Sequence, residues 1–380
     1  MVVGGGGRIA LSTKARVRRS ELLSSKDFRA LLEQPSVSAV AASLDATSYG
    51  KTLEGLSLNE VRRTELEFRL GTSVLREALA FRSYMGAGYR RLLDLWLQVY
   101  DIEFFKDHFR RRFGADPTAA QEEERMFGLF PDFRPTLLDR NALLAAQTPG
   151  AMLASIRDER LRAALKETLP VKDDGAEVLG EDACRVSFAL GMTLDRYYLD
   201  SLYKAVLAVG GMEGRLLARL VGVRLDLVNL YWIYRCRRFF GLSPEQALAT
   251  VTRSRCRVDF DLLSRAASSE LPAWDDVLEG TPYAGIFRSD EADPSIEEDP
   301  SLREAEVELR LCRVLCRVAG EMFRSGAPGW HNVGAYLMLK GFEVRDLITV
   351  IEAVRYDYDR RRVGRLLILN GLNGGEGGGR

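Results

Sequence analysis

The chain has 380 residues, 54 lysines and arginines against 54 aspartates and glutamates, and an apolar fraction of 46%. That length suffices for a large core or for several domains, and the apolar fraction excludes a disordered chain. The zero net charge removes the electrostatic footprint of a nucleic-acid binder, so nucleic acid is not an expected partner.

In chain order, the glycine-rich residues 1–7 read as a disordered tail. Leu22, Phe28, Leu31 and Leu32 then follow a helical period, as do Val61, Leu66, Leu70, Val74, Leu75 and Leu79. Glycine–proline punctuation at Gly114 to Pro117 and at Gly241 to Pro244 marks two boundaries, and Pro131 to Pro135 reads as a loop. Ser243-Pro244-Glu245-Gln246 is a helix start with the spacing of a capping box. The acidic stretch Arg288 to Pro300 reads as a solvated loop. It ends in Asp299-Pro300, an N-cap followed by a proline at the first helical position. The helix that follows, Ser301 to Phe323, places Val307, Leu311, Val314, Leu315 and Val318 on one stripe. Residues 370–380 form a second glycine-rich tail. Alternating β-type runs are missing, so the fold class is all-α. No apolar run approaches the roughly 18 to 20 residues of a membrane-spanning helix.

One pattern recurs three times. Asp101, Asp226 and Glu343, spaced by 125 and 117 residues, bring apolar columns into register: Leu95, Leu220 and Leu337; Tyr100, Leu225 and Phe342; Ile102, Leu227 and Val344. Phe105, Leu230 and Leu347 continue the match, followed by Phe109, Tyr234 and Ile351. Each copy reads as a helix ending on an apolar residue, an acid that satisfies free N–H groups, and a second amphipathic helix. Such a unit cannot bury its face alone, so three of them predict one body of similar units around a pseudo-threefold axis. The expected units are residues 8–115, 116–242 and 243–368.

Chemistry-bearing motifs are sparse. Gly50-Lys51-Thr52 ends like a phosphate-binding loop, but Asp45 stands where another glycine is needed and the preceding residues read as helix. Asp275-Asp276-Val277-Leu278-Glu279 has the acids of a magnesium-diphosphate cluster without the second metal-binding helix that chemistry requires. His108 and His331 have no acid or nucleophile near them in sequence. The five cysteines form no CxxC pair, and Cys312 and Cys316, at i and i+4, read as small buried apolar residues. No catalytic residue, cofactor site or metal site is therefore expected. The runs Arg110 to Arg112, Arg235 with Arg237 and Arg238, and Arg360 to Arg362 each follow a repeat's second helix, where cations complement the helix dipole. They also offer three patches to an acidic partner.

Ala15-Arg16-Val17-Arg18-Arg19-Ser20-Glu21-Leu22-Leu23, with Tyr49-Gly50 downstream, resembles the opening of the C-type rotor component of the bacterial and archaeal V/A-type rotary ATPases, whose eukaryotic counterpart is the d-type component of the V-ATPase. Tyr336 to Leu347 resembles that family's most recognisable stretch, with Gly341 where a Glu is usual and Asp346 where an Asn is usual. The resemblance runs from about Arg16 to Tyr356 at low identity. It implies three helical units forming a funnel. It also implies a non-catalytic subunit, peripheral on the cytoplasmic side of the membrane, that joins the proteolipid ring to the central stalk and couples ATP chemistry to proton or sodium transport. No small-molecule substrate is expected. The candidate partner interface is the three junctions Tyr100-Asp101, Leu225-Asp226 and Phe342-Glu343, each an apolar anchor beside an acid. The competing readings are a helical scaffold or regulator of another complex and an all-α diphosphate-binding synthase. The latter requires magnesium-dependent turnover lost on replacing Asp275 and Asp276.

Overall fold

Local chemistry sets many of the helix starts. Ser24, Ser36, Asp139, Thr148, Ser243 and Asp259 each accept a hydrogen bond from the backbone N–H three residues on. Ser24 with Asp27, and Ser243 with Gln246, complete capping boxes, which satisfies two otherwise orphaned donors at each start.

The computed structural model describes residues 5–56, 63–113, 135–168, 183–270, 273–288 and 300–369. The helices are α1 (Gly5–Ser20), α2 (Ser25–Leu32), α3 (Val37–Asp45), α4 (Gly50–Leu53), α5 (Arg63–Arg82) and α6 (Ala87–Phe113). Next come α7 (Arg140–Ala145), α8 (Pro149–Ala154), α9 (Glu159–Thr168), α10 (Ala183–Val209) and α11 (Gly211–Arg238). The remainder are α12 (Pro244–Thr250), α13 (Phe260–Ser268), α14 (Trp274–Leu278), α15 (Pro300–Met322), α16 (Trp330–Tyr356) and α17 (Arg360–Leu366). The fold is all-α; among the described residues the only β-type pairing is one isolated bridge between Leu138 and Ile156. No helix among them is long and apolar enough to cross a membrane.

Three sequence expectations are corrected. The acids do not open second helices: α6, α11 and α16 run unbroken through Asp101, Asp226 and Glu343. These helices are covered on almost every side, as the buried residues from Trp330 to Ala353 show for α16. Apolar residues therefore recur around the whole helix, and the change of stripe imitates a break. The second correction is that α1 begins at Gly5, inside the run read as tail. The third is that Arg360 to Arg362, though it follows α16, opens a further helix, where cations do not complement the dipole, with Asp359 accepting the Arg361 and Arg362 N–H groups. Most of the Pro131–Pro135 and Arg288–Pro300 loops, and the 370–380 tail, lie outside the described residues.

Three hairpins organise the body. The outer helices α5, α10 and α15 lead into the inner helices α6, α11 and α16, and each outer helix packs against its own inner helix. Each inner helix also packs on the outer helix of the next hairpin: α6 on α10, α11 on α15, and α16 back on α5, so the contacts form a closed cycle. Short helices fill the outside, with α12 and α13 on α11, and α9 on α10. On α16 that place is taken by α2 and α3 from the start of the chain, and α1 lies along the same helix. A hydrogen bond of 2.7 Å between Ser12 and Asn332 fastens α1 to α16.

Candidate functional site

The repeated acids tie the inner helices to the segments wrapped around them. Asp226 accepts the backbone N–H groups of Cys256 at 3.3 Å and Arg257 at 2.8 Å, and the Tyr283 hydroxyl at 2.8 Å. Glu343 reproduces that arrangement with the chain's own beginning, accepting the Leu23 N–H and, at 2.6 Å, the Tyr49 hydroxyl. Asp101 accepts the N–H groups of Thr136 and Leu137, both at 2.9 Å. One turn beyond Asp226, Asn229 accepts the Thr252 N–H at 2.9 Å and donates to the Thr252 hydroxyl at 3.0 Å. Asp346 holds the matching position in α16 and accepts the N–H groups of Ile368 at 2.7 Å and Leu369 at 2.9 Å.

All four carboxylates are buried. Burial disfavours the charged form and raises Asp101 and Asp346 to about 6, with the backbone N–H donors pulling the other way. Asp226 is raised for the same reason. Glu343 has a partner the others lack: buried Lys340 places Nζ 2.6 Å from its carboxylate and 3.7 Å above the Tyr49 ring. The Tyr49 hydroxyl, desolvated and beside an anion, is held well above its ordinary pKa and stays a donor.

The first turns of the inner helices meet at a fifth carboxylate. Glu213 of α11 accepts the Tyr89 hydroxyl of α6 at 2.6 Å and the backbone N–H of Trp330, the first residue of α16. Arg8 of α1 lies 3.6 Å away. Free N–H groups at helix starts carry partial positive charge, which favours an anion here. A Cβ on Gly329 would stand 2.7 Å from the Glu213 carboxylate, so this close approach requires glycine. His331 is buried alongside, its Nε2 3.4 Å from the Ser325 hydroxyl, and burial lowers its pKa.

Further along the same helices lies a cavity of about 310 Å³. Val99 and Tyr100 of α6, Arg224 of α11, and Gly341, Phe342 and Arg345 of α16 reach it. Because the three inner helices meet in the same order at Glu213 and at this cavity, they run in the same direction.

The six candidate interface residues thus separate. Tyr100 and Phe342 line the cavity, while Leu225 is fully buried. Asp101, Asp226 and Glu343 are engaged in the ties and are 2%, 0% and 0% exposed. Arg224 and Glu213 escape a reading built on apolar anchors. Arg224 had a signal: in the repeat register the column before the anchors reads Val99, Arg224 and Gly341, with no shared chemistry. Among the described residues no cluster of three or more His, Cys, Asp or Glu could hold a metal ion. Asp275 of the acidic DDxxE stretch bonds Arg288 at 3.1 Å.

Comparison with known proteins adds two findings. The family model described as ATP synthase (C/AC39) subunit matches residues 11–366. The C-type component of the A-type ATP synthase of Methanocaldococcus jannaschii is 22% identical over 280 residues, which are 73% of this chain and 66% of that protein.

Proposed function

Since this chain belongs to the ATP synthase (C/AC39) subunit family, we propose that it is the non-catalytic central-rotor subunit of a V/A-type ATPase or ATP synthase. In this role it couples the central stalk to the membrane proteolipid ring for ATP-linked proton or sodium transport. It sits peripherally on the cytoplasmic side, uses no cofactor or small-molecule substrate, and has three units, residues 8–115, 116–242 and 243–368, about a pseudo-threefold axis in a funnel. The observation that carries this reading is the family match over nearly the whole chain. Three parallel inner helices that meet at Glu213 and line the cavity support it, because a torque-bearing piece needs a stiff centre. In the proposed interface, Tyr100 and Phe342 meet the partner, Leu225 anchors α11 in the core, and Asp101, Asp226 and Glu343 hold their helices rigid.

The test is reconstitution of the complex with and without this chain. Without it, ATP hydrolysis by the catalytic head is expected to continue while ion transport stops. Transport at an undiminished rate without the chain overturns the reading.

A further inference from the structure

A second and larger cavity, of about 780 Å³, is bounded by the outer helix α10, the chain just after α11, and α12. It shares no lining residue with the cavity between the inner helices. Its apolar wall is built locally. Phe188, Ala189 and Met192 stand at i, i+1 and i+4 and line it from one face of α10. The chain turns back after α11 at Gly241, whose φ of 57° favours glycine, and the Leu242 N–H bonds the Cys236 carbonyl at 3.0 Å. That turn sets Phe240 and Leu242 against the same cavity. Phe240 stacks on Phe188 with ring centres 4.2 Å apart, yet remains 39% exposed.

Most of the polar lining is already spent. The hydroxyls of Thr168, Thr193 and Thr250 donate to carbonyls of their own helices at 2.7, 3.0 and 2.6 Å. The side-chain oxygen of Gln246 accepts the Ser243 N–H at 2.9 Å. Two donors remain: the Gln246 amide NH2, and half-buried Arg196. Among the described residues Arg196 makes one polar contact, from Nη1 to the Ala249 carbonyl at 3.1 Å, which leaves the rest of its guanidinium donors available. No acid lines the cavity. The acids nearest these donors in sequence are engaged elsewhere. Asp195 holds Lys106 at 2.6 Å, Asp200 accepts the N–H groups of Arg253 and Ser254 at 3.3 and 2.9 Å, and Glu245 accepts the Ser243 hydroxyl at 2.7 Å.

A recess of rings and aliphatic groups with one cation and one amide matches a molecule with a long apolar body and a single anionic head. A peptide fits it less well, because the spent hydroxyls offer little to backbone N–H and C=O groups that need partners once buried. The volume lies well within the roughly 300 to 1,000 Å³ of small-molecule sites. We propose that this cavity binds a long-chain fatty acid, its tail along Phe188, Met192 and Phe240 and its carboxylate on Arg196 and Gln246. The fatty acid is held and not converted, so the proposal goes beyond the rotor reading and does not depend on it.

The test is isothermal titration of the purified full chain with dodecanoate, decanoate and dodecanol, each below its micelle concentration. Dodecanoate is expected to saturate a single site, and decanoate to bind about tenfold more weakly for the methylenes it lacks. Dodecanol, which lacks the charge, is expected to bind weaker than dodecanoate by about tenfold or more. Arg196→Gln is expected to remove the preference for the acid. Ala189→Trp, which fills the recess, is expected to abolish binding of acid and alcohol while the thermal midpoint is maintained. If Arg196→Gln fails to fold, the acid–alcohol comparison and Ala189→Trp decide. No saturable binding of dodecanoate, equal binding of acid and alcohol, or binding that Ala189→Trp leaves unchanged overturns the site. Arg196-dependent binding to vesicles of anionic phospholipid without binding of free dodecanoate also overturns it, in favour of a membrane-surface contact.

Discussion

Asp346 serves two backbone N–H groups at the cost of a buried charge. Its carboxyl titrates at about 6 in the fold against roughly 4 in an unfolded chain. Between those values the folded state holds a proton that the unfolded state lacks. Its contribution to stability is therefore greatest below pH about 4 and is lost as pH rises through 6. Asp101 has the same sign. His331, whose pKa is lowered, acts oppositely and costs stability as pH falls through the ordinary histidine range. Asp346→Asn keeps one acceptor and removes the charge, so it is expected to change stability at pH 7 by no more than about 1 kcal/mol while reducing this pH dependence. Asp346→Ala orphans both N–H groups and is expected to cost about 2 to 4 kcal/mol. Urea unfolding at pH 5 and pH 8 checks the pair, and identical pH dependence in wild type and Asn variant would refute the assignment. The sequence marked Asp346 as a departure from its family's Asn but could not show its function, because the N–H groups it serves lie 22 and 23 residues away.

At the scale of elements, capping was legible and continuity was not. The Ser243 box is local chemistry and formed as read, whereas the unbroken inner helices depend on neighbours that cover all their faces. The glycines within those helices now carry opposite expectations. A Cβ on Gly222 would meet the Cys256 Sγ at 2.5 Å and the Tyr203 ring at 3.1 Å. This glycine therefore lets the Cys256 loop come close enough for Asp226 to hold it. Gly222→Ala is expected to cost about 1 to 3 kcal/mol through overpacking. Gly341→Ala, with open space around the new methyl, is expected to gain about 0.5 to 1 kcal/mol from helix propensity. Calorimetry reads the two shifts directly, and midpoints that move in the same direction would contradict the packing described.

For the whole molecule, the three aligned acids fall within α6, α11 and α16, while the packing of the first helices on α16 left no local trace. The sequence boundaries place residues 8–115 in one unit, yet α2 and α3 from that stretch lie on α16, near the other end of the chain. Tyr49 and Glu343 make one of the bonds across this seam. Tyr49→Phe is expected to cost about 1 to 3 kcal/mol and to speed amide exchange in α2 to α4 and in the second half of α16 together. Faster exchange confined to α2 to α4 would mean that the chain's beginning opens by itself.

The seam also sets a timetable for synthesis. The residues that fasten α1 and the Leu23 turn to α16 are separated by 320 positions, so the first segment leaves the ribosome long before its partner exists. At about 5 to 20 residues per second the wait is roughly 16 to 64 s. Throughout it, Leu11, Ala15, Phe28 and Leu31, all buried in the finished fold, have nothing on α16 to cover them. A nascent chain with such a delay is exposed to aggregation and is an expected client of the chaperones that hold unfinished chains. Moving the first 53 residues behind α17, by circular permutation through a short linker, would shorten the wait and is expected to raise the soluble yield.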